Sequence, residues 1–376
     1  MRILRFLPVF LILSVPGEIL AEPFAYIAVP NGFVSVVDIG VSPAVEVASI
    51  SIGSSGDPYW IASNGLKTVV ATTLHGSTGV AVIDAVANTL TGVVAGVGSE
   101  PEAVALDGTG ATLYVADESG EELFVVDVAT LSVSAGPIDI SADCSEPENM
   151  VISPDDLTLY IACAAGSSSV IAVDTSTFAV TVIFSASGGD AHGVALDPTG
   201  TLLYYSDGTD GFQYDLIGGV NTGVTYANCE LYNGAVTNDG SRLLCVNEDP
   251  NLLIFDTATG TELANVDLRS GSLFFSGTGV AVSPDDSLAV VGGDGSSPQT
   301  AKLIDLVSFT NLGDLPVTAG SSTFVSTRGV TFSGLAAPPP PGPAAPIPTL
   351  NEWGLILLAL LLVMFGLSAL RRRSDA

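Results

Sequence analysis

A short β-rich run ending in aspartate recurs seven times along the chain, as VSVVD, VAVID, LFVVD, VIAVD, GFQYD, LLIFD and AKLID. The aspartates are Asp38, Asp84, Asp127, Asp174, Asp215, Asp256 and Asp305, spaced 46, 43, 47, 41, 41 and 49 residues apart. A second element precedes most copies: an apolar strand, a tight turn and another strand. It reads VALDGTGATLYVA at 104–116, MVISPDDLTLYIA at 150–162, VALDPTGTLLYYS at 194–206, AVTNDGSRLLCV at 235–246 and VAVSPDDSLAVV at 280–291. The Pro-Asp-Asp, Thr-Gly and Asp-Gly pairs are hairpin-turn chemistry, and the flanking alternation of Val, Ile, Leu and Tyr is strand periodicity. Each unit therefore supplies four antiparallel strands: A before the turn, B after it, C ending in aspartate, and D beyond. Repeats of this length without helical periodicity signal a ring or solenoid of sheets. Seven four-stranded units predict an all-β, seven-bladed β-propeller, whose radial closure protects its sheet edges.

The register of the ends constrains the ring further. The repeating body, residues 22–334, starts at a B strand (Tyr26–Val29) and finishes at an A strand (Gly329–Ser333). One blade must then combine strands B, C and D from the N-terminus with strand A from the C-terminus. The repeat, written P-E-x-V/M-V/A-x-x-P/G-x-x-x-x-L-Y-V/I-A and followed by a V-x-V-D strand, resembles the YVTN-type propeller repeats of surface proteins. That resemblance implies the fold and leaves the activity open, because one propeller scaffold hosts many functions.

Both ends of the chain read as an address. Residues 1–21 carry Arg2 and Arg5, then the apolar run Phe6–Val15, then small residues ending at Ala21, the pattern of a secretory signal peptide. The apolar core is too short to span a bilayer, which needs about twenty residues. At the other end a Pro-rich linker (335–348) leads into a tail (347–376) in which residues 353–370 are uninterruptedly apolar and precede Arg371-Arg372-Arg373. This predicts a transmembrane helix with a cytoplasmic basic cluster, and places the body outside. The run Ile347-Pro348-Thr349-Leu350-Asn351-Glu352-Trp353-Gly354, the helix and the arginines resemble the IPTL-type C-terminal sorting signals of Gram-negative bacteria. The resemblance implies an exosortase-type processing protease as partner, cleavage near Ile347–Leu350, and delivery to the envelope or cell surface.

Charge removes some functions. Between residues 22 and 350 there are five Lys/Arg (Lys67, Arg242, Arg269, Lys302, Arg328) against 37 Asp/Glu, a net charge of −32. Such a body repels phosphate backbones, so nucleic acid is excluded as a partner. Export makes disulfides the expected state of the four cysteines. Cys144 precedes strand A of blade 4 and Cys163 ends strand B, and Cys229 and Cys245 hold similar places in blade 6. Neighbouring antiparallel strands predict Cys144–Cys163 and Cys229–Cys245; four reduced, buried thiols are the alternative.

The D-to-A and B-to-C loops share one face of such a ring. Aligned there, Asp57, Glu100, Glu146, Asp190 and Glu230 occupy one repeat position, with Ser276 and Ser326 in the other two blades. Two residues on stand Tyr59, Glu102, Glu148, His192, Tyr232, Thr278 and Arg328, expected at the channel mouth. Carboxylates crowded around one opening would be relieved by a cation such as Ca²⁺, with Glu100 and Glu102 its expected contacts, or by a cationic ligand group. Otherwise they are solvated loop acids. The seven strand-C aspartates read as turn caps. His192 with Asp190 forms a candidate acid/base pair, and no nucleophile, phosphate-loop or dinucleotide motif appears in a suitable context. Three readings remain, of which a purely structural envelope protein differs from the first below only in having no dedicated ligand. The first is a non-catalytic, surface-displayed module binding a protein, glycan or cation. The second is an extracytoplasmic propeller enzyme, lactonase-like or quinoprotein-type, with its site at the acidic mouth.

Overall fold

The computed structural model describes residues 24–29, 32–53, 56–64, 68–165, 169–185, 191–232, 234–246, 250–269, 275–295, 301–317 and 329–333. The leader (1–21), the linker (335–348) and the sorting tail with its expected transmembrane helix (353–370) lie outside them. Among the described residues no helix is long and apolar enough to cross a membrane.

The described chain forms seven four-stranded antiparallel sheets, a seven-bladed β-propeller. In the order A to D, blade 1 is Val330–Ser333, Phe24–Val29, Phe33–Asp38 and Val45–Ser51, and blade 2 is Asp57–Ser63, Val69–His75, Gly79–Asp84 and Thr89–Ala95. Blade 3 is Pro101–Leu106, Thr112–Asp117, Glu122–Asp127 and Ser132–Asp139; blade 4 is Ser145–Ile152, Thr158–Ala165, Ser169–Asp174 and Val180–Ser185. Blade 5 is Val194–Leu196, Leu202–Ser206, Gly211–Asp215 and Val220–Tyr226; blade 6 is Ala235–Val236, Arg242–Val246, Asn251–Asp256 and Glu262–Asp267. Blade 7 is Phe275–Val282, Leu288–Gly295, Lys302–Asp305 and Thr310–Asp314. The expected closure is present: Val330–Ser333 pairs antiparallel with Phe24–Val29, Phe24 opposite Ser333 and Ile27 opposite Val330.

The core is divided among the seams between blades. Each of the seven seams holds its own apolar cluster. Successive side chains of a strand point to opposite faces, so each inner strand feeds two seams. In VAVID, Val80 and Val82 pack toward blade 3, whereas Ala81 and Ile83 pack toward blade 1. This explains why the C strands are continuous apolar runs: both of their faces are buried. The D strands, at the rim, alternate between exposed and covered, as in Val45–Ser51. Every C–D pairing contains a register shift. Such bulges bend the free outer edge and make it a poor template for edge-to-edge association.

Local polar contacts finish the repeats. All seven strand-C aspartates cap the C-to-D turn, accepting backbone N–H bonds of 2.7–3.0 Å from residues two or three positions on. On the same face the second aspartate of each Pro-Asp-Asp turn reaches the preceding blade. Asp156 accepts from Gly108 N–H at 2.7 Å, and Asp286 accepts from the Asn238 and Asp239 N–H groups at 2.7 and 2.9 Å. Both expected disulfides are formed, Cys144–Cys163 and Cys229–Cys245, with Cα atoms 5.3 and 5.4 Å apart. The second anchors the loop leading to the two-residue A strand of blade 6, which has little ladder of its own.

Candidate functional site at the channel mouth

The A strands surround a central channel of about 290 Å³, lined by residues such as Trp60, Ile61, Val104, Met150, Val280 and Phe332. At its loop-face end several A strands bulge. The pairing of A with B skips between Pro58 and Ile61, Pro101 and Ala103, Pro147 and Asn149, and Gly277 and Gly279. The residues left out of the ladder are Tyr59 with Trp60, Glu102, Glu148 and Thr278. A bulge re-aims a side chain that the strand would otherwise commit to one face. The sequence-derived mouth position is therefore a bulge position in four blades.

Two contacts tie these residues across seams. Trp60 Nε1 donates to Glu102 Oε1 at 2.8 Å, joining blade 2 to blade 3. Glu102 is only 7% exposed. The Thr73 hydroxyl stands beside this pair, accepting from Trp60 N–H at 3.1 Å and donating to the Glu102 carbonyl at 3.3 Å. On blades 4, 5 and 6 the equivalent residues form a row. His192 Nδ1 is 2.6 Å from Glu148 Oε2, and the imidazole stacks on Tyr232 with ring centres 4.4 Å apart and planes 13° apart. The other histidine, His75, stacks on Tyr59 at 5.2 Å. The mouth thus presents aromatic faces and carboxylates held by ring N–H groups.

The acids of the first ring differ from blade to blade in burial and partners. Asp57 and Glu146 are exposed, and Glu230 is half-buried in its loop. Glu100 is tied into its own blade, where its Oε2 accepts from the Ser119 hydroxyl at 2.6 Å. Asp190, Ser326 and Arg328 lie outside the described residues, and the Asp190–His192 pairing therefore lies outside them too. Glu100 and Glu102, considered together as cation contacts, face different partners. Among the described residues no group of three or more His, Cys, Asp or Glu side chains is placed to hold a metal ion.

Three residues were not singled out from sequence. Glu118, in the B-to-C loop of blade 3, is pushed above the usual carboxylate range by burial, and then by repulsion from Glu100, Glu148, Glu146 and Asp117. Its signal was the Asp-Glu pair in a loop sharing the face of Glu100. Trp60 is the only tryptophan between residues 22 and 350, a rare large aromatic beside the mouth position. Ser206 of blade 5 is fully buried and its hydroxyl has no hydrogen-bond partner, alone among buried side-chain polar atoms of the described residues. A wholly buried hydroxyl is not accessible as a nucleophile, so it does not complete a triad with Glu148 and His192.

Fold and tail together define a class: a seven-bladed β-propeller bearing a C-terminal sorting signal. Residues 345–373 match the IPTL-CTERM motif. Motifs of this kind are characteristic of Gram-negative cell-envelope sorting, imply processing by an exosortase-type enzyme, and are consistent with export and surface display. The propeller is similar to a solved structure described as Kuenenia stuttgartiensis Hydrazine Synthase, with a TM-score of 0.56 and 20% identity over 68% of this chain and 78% of that one. That likeness shows the fold alone. No curated protein matches the chain.

Proposed function

We propose that this protein is an exported, envelope-displayed propeller that acts as a non-catalytic binding module, holding its ligand at the mouth of the central channel. The observation that carries the proposal is the Glu148–His192–Tyr232 row, in which one repeat position on three successive blades is linked by a hydrogen bond and a ring stack. Turn formation and blade packing do not require such a row, since other blades place Glu102 and Thr278 there. In this reading residues 1–21 are removed on export, the helix at 353–370 anchors the precursor, and cleavage near Ile347–Leu350 releases the body, spaced from the envelope by its proline linker.

The Glu148–His192 bond also favours a second reading, a lactonase-like or quinoprotein-type enzyme, because a carboxylate orients an imidazole base in this way. That reading needs a reacting group beside His192 and Glu148. Binding is tested by displaying the purified full chain on glycan and peptide arrays. A ligand retained by the wild type and lost by Glu148→Gln with His192→Ala, at unchanged melting temperature, supports the module. Equal retention by the double variant would move the site elsewhere.

A further inference from the structure

The loop that brings Tyr232 to the mouth is held differently from the strand that brings Glu148. Glu148 follows Cys144 within a ladder that runs from Ser145 opposite Ala165 to Ile152 opposite Leu159. In blade 6 the ladder begins only at Ala235, six residues after Cys229. Between them the Tyr232 N–H donates to the Val246 carbonyl at 3.4 Å, a long bond, and Asn228 and Leu231 sit in left-handed backbone at φ 56° and 54°. That conformation is sterically costly for leucine and persists only where its surroundings impose it. The Cys229–Cys245 bridge and the buried Leu231 side chain hold this stretch against the seam between blades 5 and 6.

That seam contains an unsatisfied hydroxyl. Ser206 ends strand B of blade 5, and its side chain shares a face with that of Tyr204, two residues earlier, which packs with Cys229 and Cys245. Its cross-strand partner is Gly211, and a Cβ on Gly211 would lie 2.9 Å from Cys229 Sγ. Directly opposed residues carry their Cβ atoms on one face about 5 Å apart, so the Ser206 hydroxyl stands beside the bridge. It is fully buried and has no hydrogen-bond partner. A disulfide has no proton to give, whereas a thiol S–H donates, and an unpaired buried hydroxyl is costly. The other bridge provides a contrast. At the same register in blade 3, three residues beyond the leucine that faces the end of strand C, stands Ala116, which packs with Cys144 and Cys163 and has no polar side-chain atom to satisfy.

We infer that Cys229–Cys245 is a reducible clasp: a dithiol opens it in the folded protein, the new thiol satisfies Ser206, and Tyr232 is released from its stack on His192. The inference rests on the binding-module reading, since it makes the shape of that site depend on redox state. In the step the Sγ–Sγ bond breaks, one S–H forms on each cysteine, and the dithiol is oxidised to its own disulfide. Ala227 and Asn228, just before Cys229, are exposed, so local opening of this loop admits the reductant.

The experiment equilibrates the full chain with graded ratios of reduced to oxidised dithiothreitol, traps thiols with iodoacetamide and maps both cysteine pairs by mass spectrometry. The blade 6 pair should open at a ratio about tenfold lower than the blade 4 pair, the scale of one unsatisfied buried group. Ser206→Ala should make the blade 6 pair about fivefold or more harder to reduce and leave the blade 4 pair unchanged. It should not lower the melting temperature of the oxidised protein, because it removes a hydroxyl that has no partner there. Where only blade 6 is reduced, the ring resonances of His192 should shift while those of His75, the only other histidine, stay in place. Equal reducibility of the two pairs, an unchanged equilibrium or a lower oxidised melting temperature in Ser206→Ala, or unmoved His192 resonances would each overturn the inference. An array ligand that depends on Glu148 and His192 but is held equally by oxidised and reduced protein sinks the clasp and leaves the binding module standing. The expected redox behaviour with no array ligand does the reverse.

Discussion

The backbone N–H of Gly329 donates to the carbonyl of Tyr59 at 2.9 Å, joining the last described strand to the bulge at the channel mouth of blade 2. A Cβ at Gly329 would lie 2.7 Å from both Tyr59 O and Ile61 N. Glycine is required here for close approach, at the point where the ring shuts. Gly329→Ala should destabilise the propeller by about 1–3 kcal/mol, the range for overpacking a tight site. Truncation after residue 320 removes the strand entirely and should bring loss of cooperative melting or aggregation through the bared edge of Phe24–Val29. Unchanged melting of the truncated chain would disprove closure by strand pairing.

Each disulfide closes a short loop, of sequence separation 19 and 16. Loop-closure entropy gives about 3 kcal/mol for a loop of this size. Replacing Cys229 and Cys245 by alanine should therefore cost about 3 kcal/mol in denaturant titration. The blade 4 pair should cost less in local order, because Ser145–Ile152 keeps six paired residues in its ladder despite the bulge, against two for Ala235–Val236. Peptide mapping without reductant checks the pairing directly, and crossed pairs would contradict it.

Glu118 has a raised pKa, so its proton is held more tightly in the folded state than in the unfolded one. Its charge then opposes folding above the unfolded value of about 4.3, and more so as pH rises through the folded value. Glu118→Gln should raise the melting temperature at neutral pH by roughly 1–2 °C and have little effect at pH 4. A fall at pH 7 would show that the carboxylate makes a net favourable contact.

The turn-capping aspartates act in the opposite sense. Asp174 is held down to about 2 by hydrogen bonds from Ser176 and Thr177, and Asp127, Asp256 and Asp305 are lowered by the same kind of turn contact. A depressed carboxyl stabilises the fold above its unfolded value of about 3.9 and loses that contribution as pH falls through its folded value. The urea midpoint should therefore drop mainly between about pH 4 and pH 2. Ser176→Ala with Thr177→Val should flatten the part owed to blade 4, and an acid limb identical to the wild type would count against the caps.

Asp286 links the turns of blades 6 and 7 through two backbone N–H groups and the Asn238 amide. Asp286→Ala should cost about 1–3 kcal/mol, as expected when donors lose an ionised acceptor. Amide exchange should accelerate first at Asn238 and Asp239, and uniform acceleration across the ring would argue against a local latch.

The amino-acid sequence alone determined the blade count, the closing strand, which cysteines stand opposite each other and the aspartate caps. Each of these depends on contacts within one repeat or between strands that neighbour each other by rule, so periodicity and turn chemistry were enough to read them. The mouth position was legible for the same reason: Tyr59, Glu102, Glu148, His192 and Tyr232 keep a constant distance from the A strand. Only the tertiary structure decided which of these side chains meet. The bulges at Pro58–Ile61, Pro101–Ala103 and Pro147–Asn149 turn Trp60, Glu102 and Glu148 out of the ladder, and the contacts they make cross seams between residues more than 40 positions apart. No spacing rule separates Glu148, which engages His192, from Glu146, which is exposed, because the choice depends on a local insertion in the strand and on what the next blade presents opposite it. The crowding that raises Glu118 has the same origin: burial and repulsion act through space, between loops that the sequence orders only one after another.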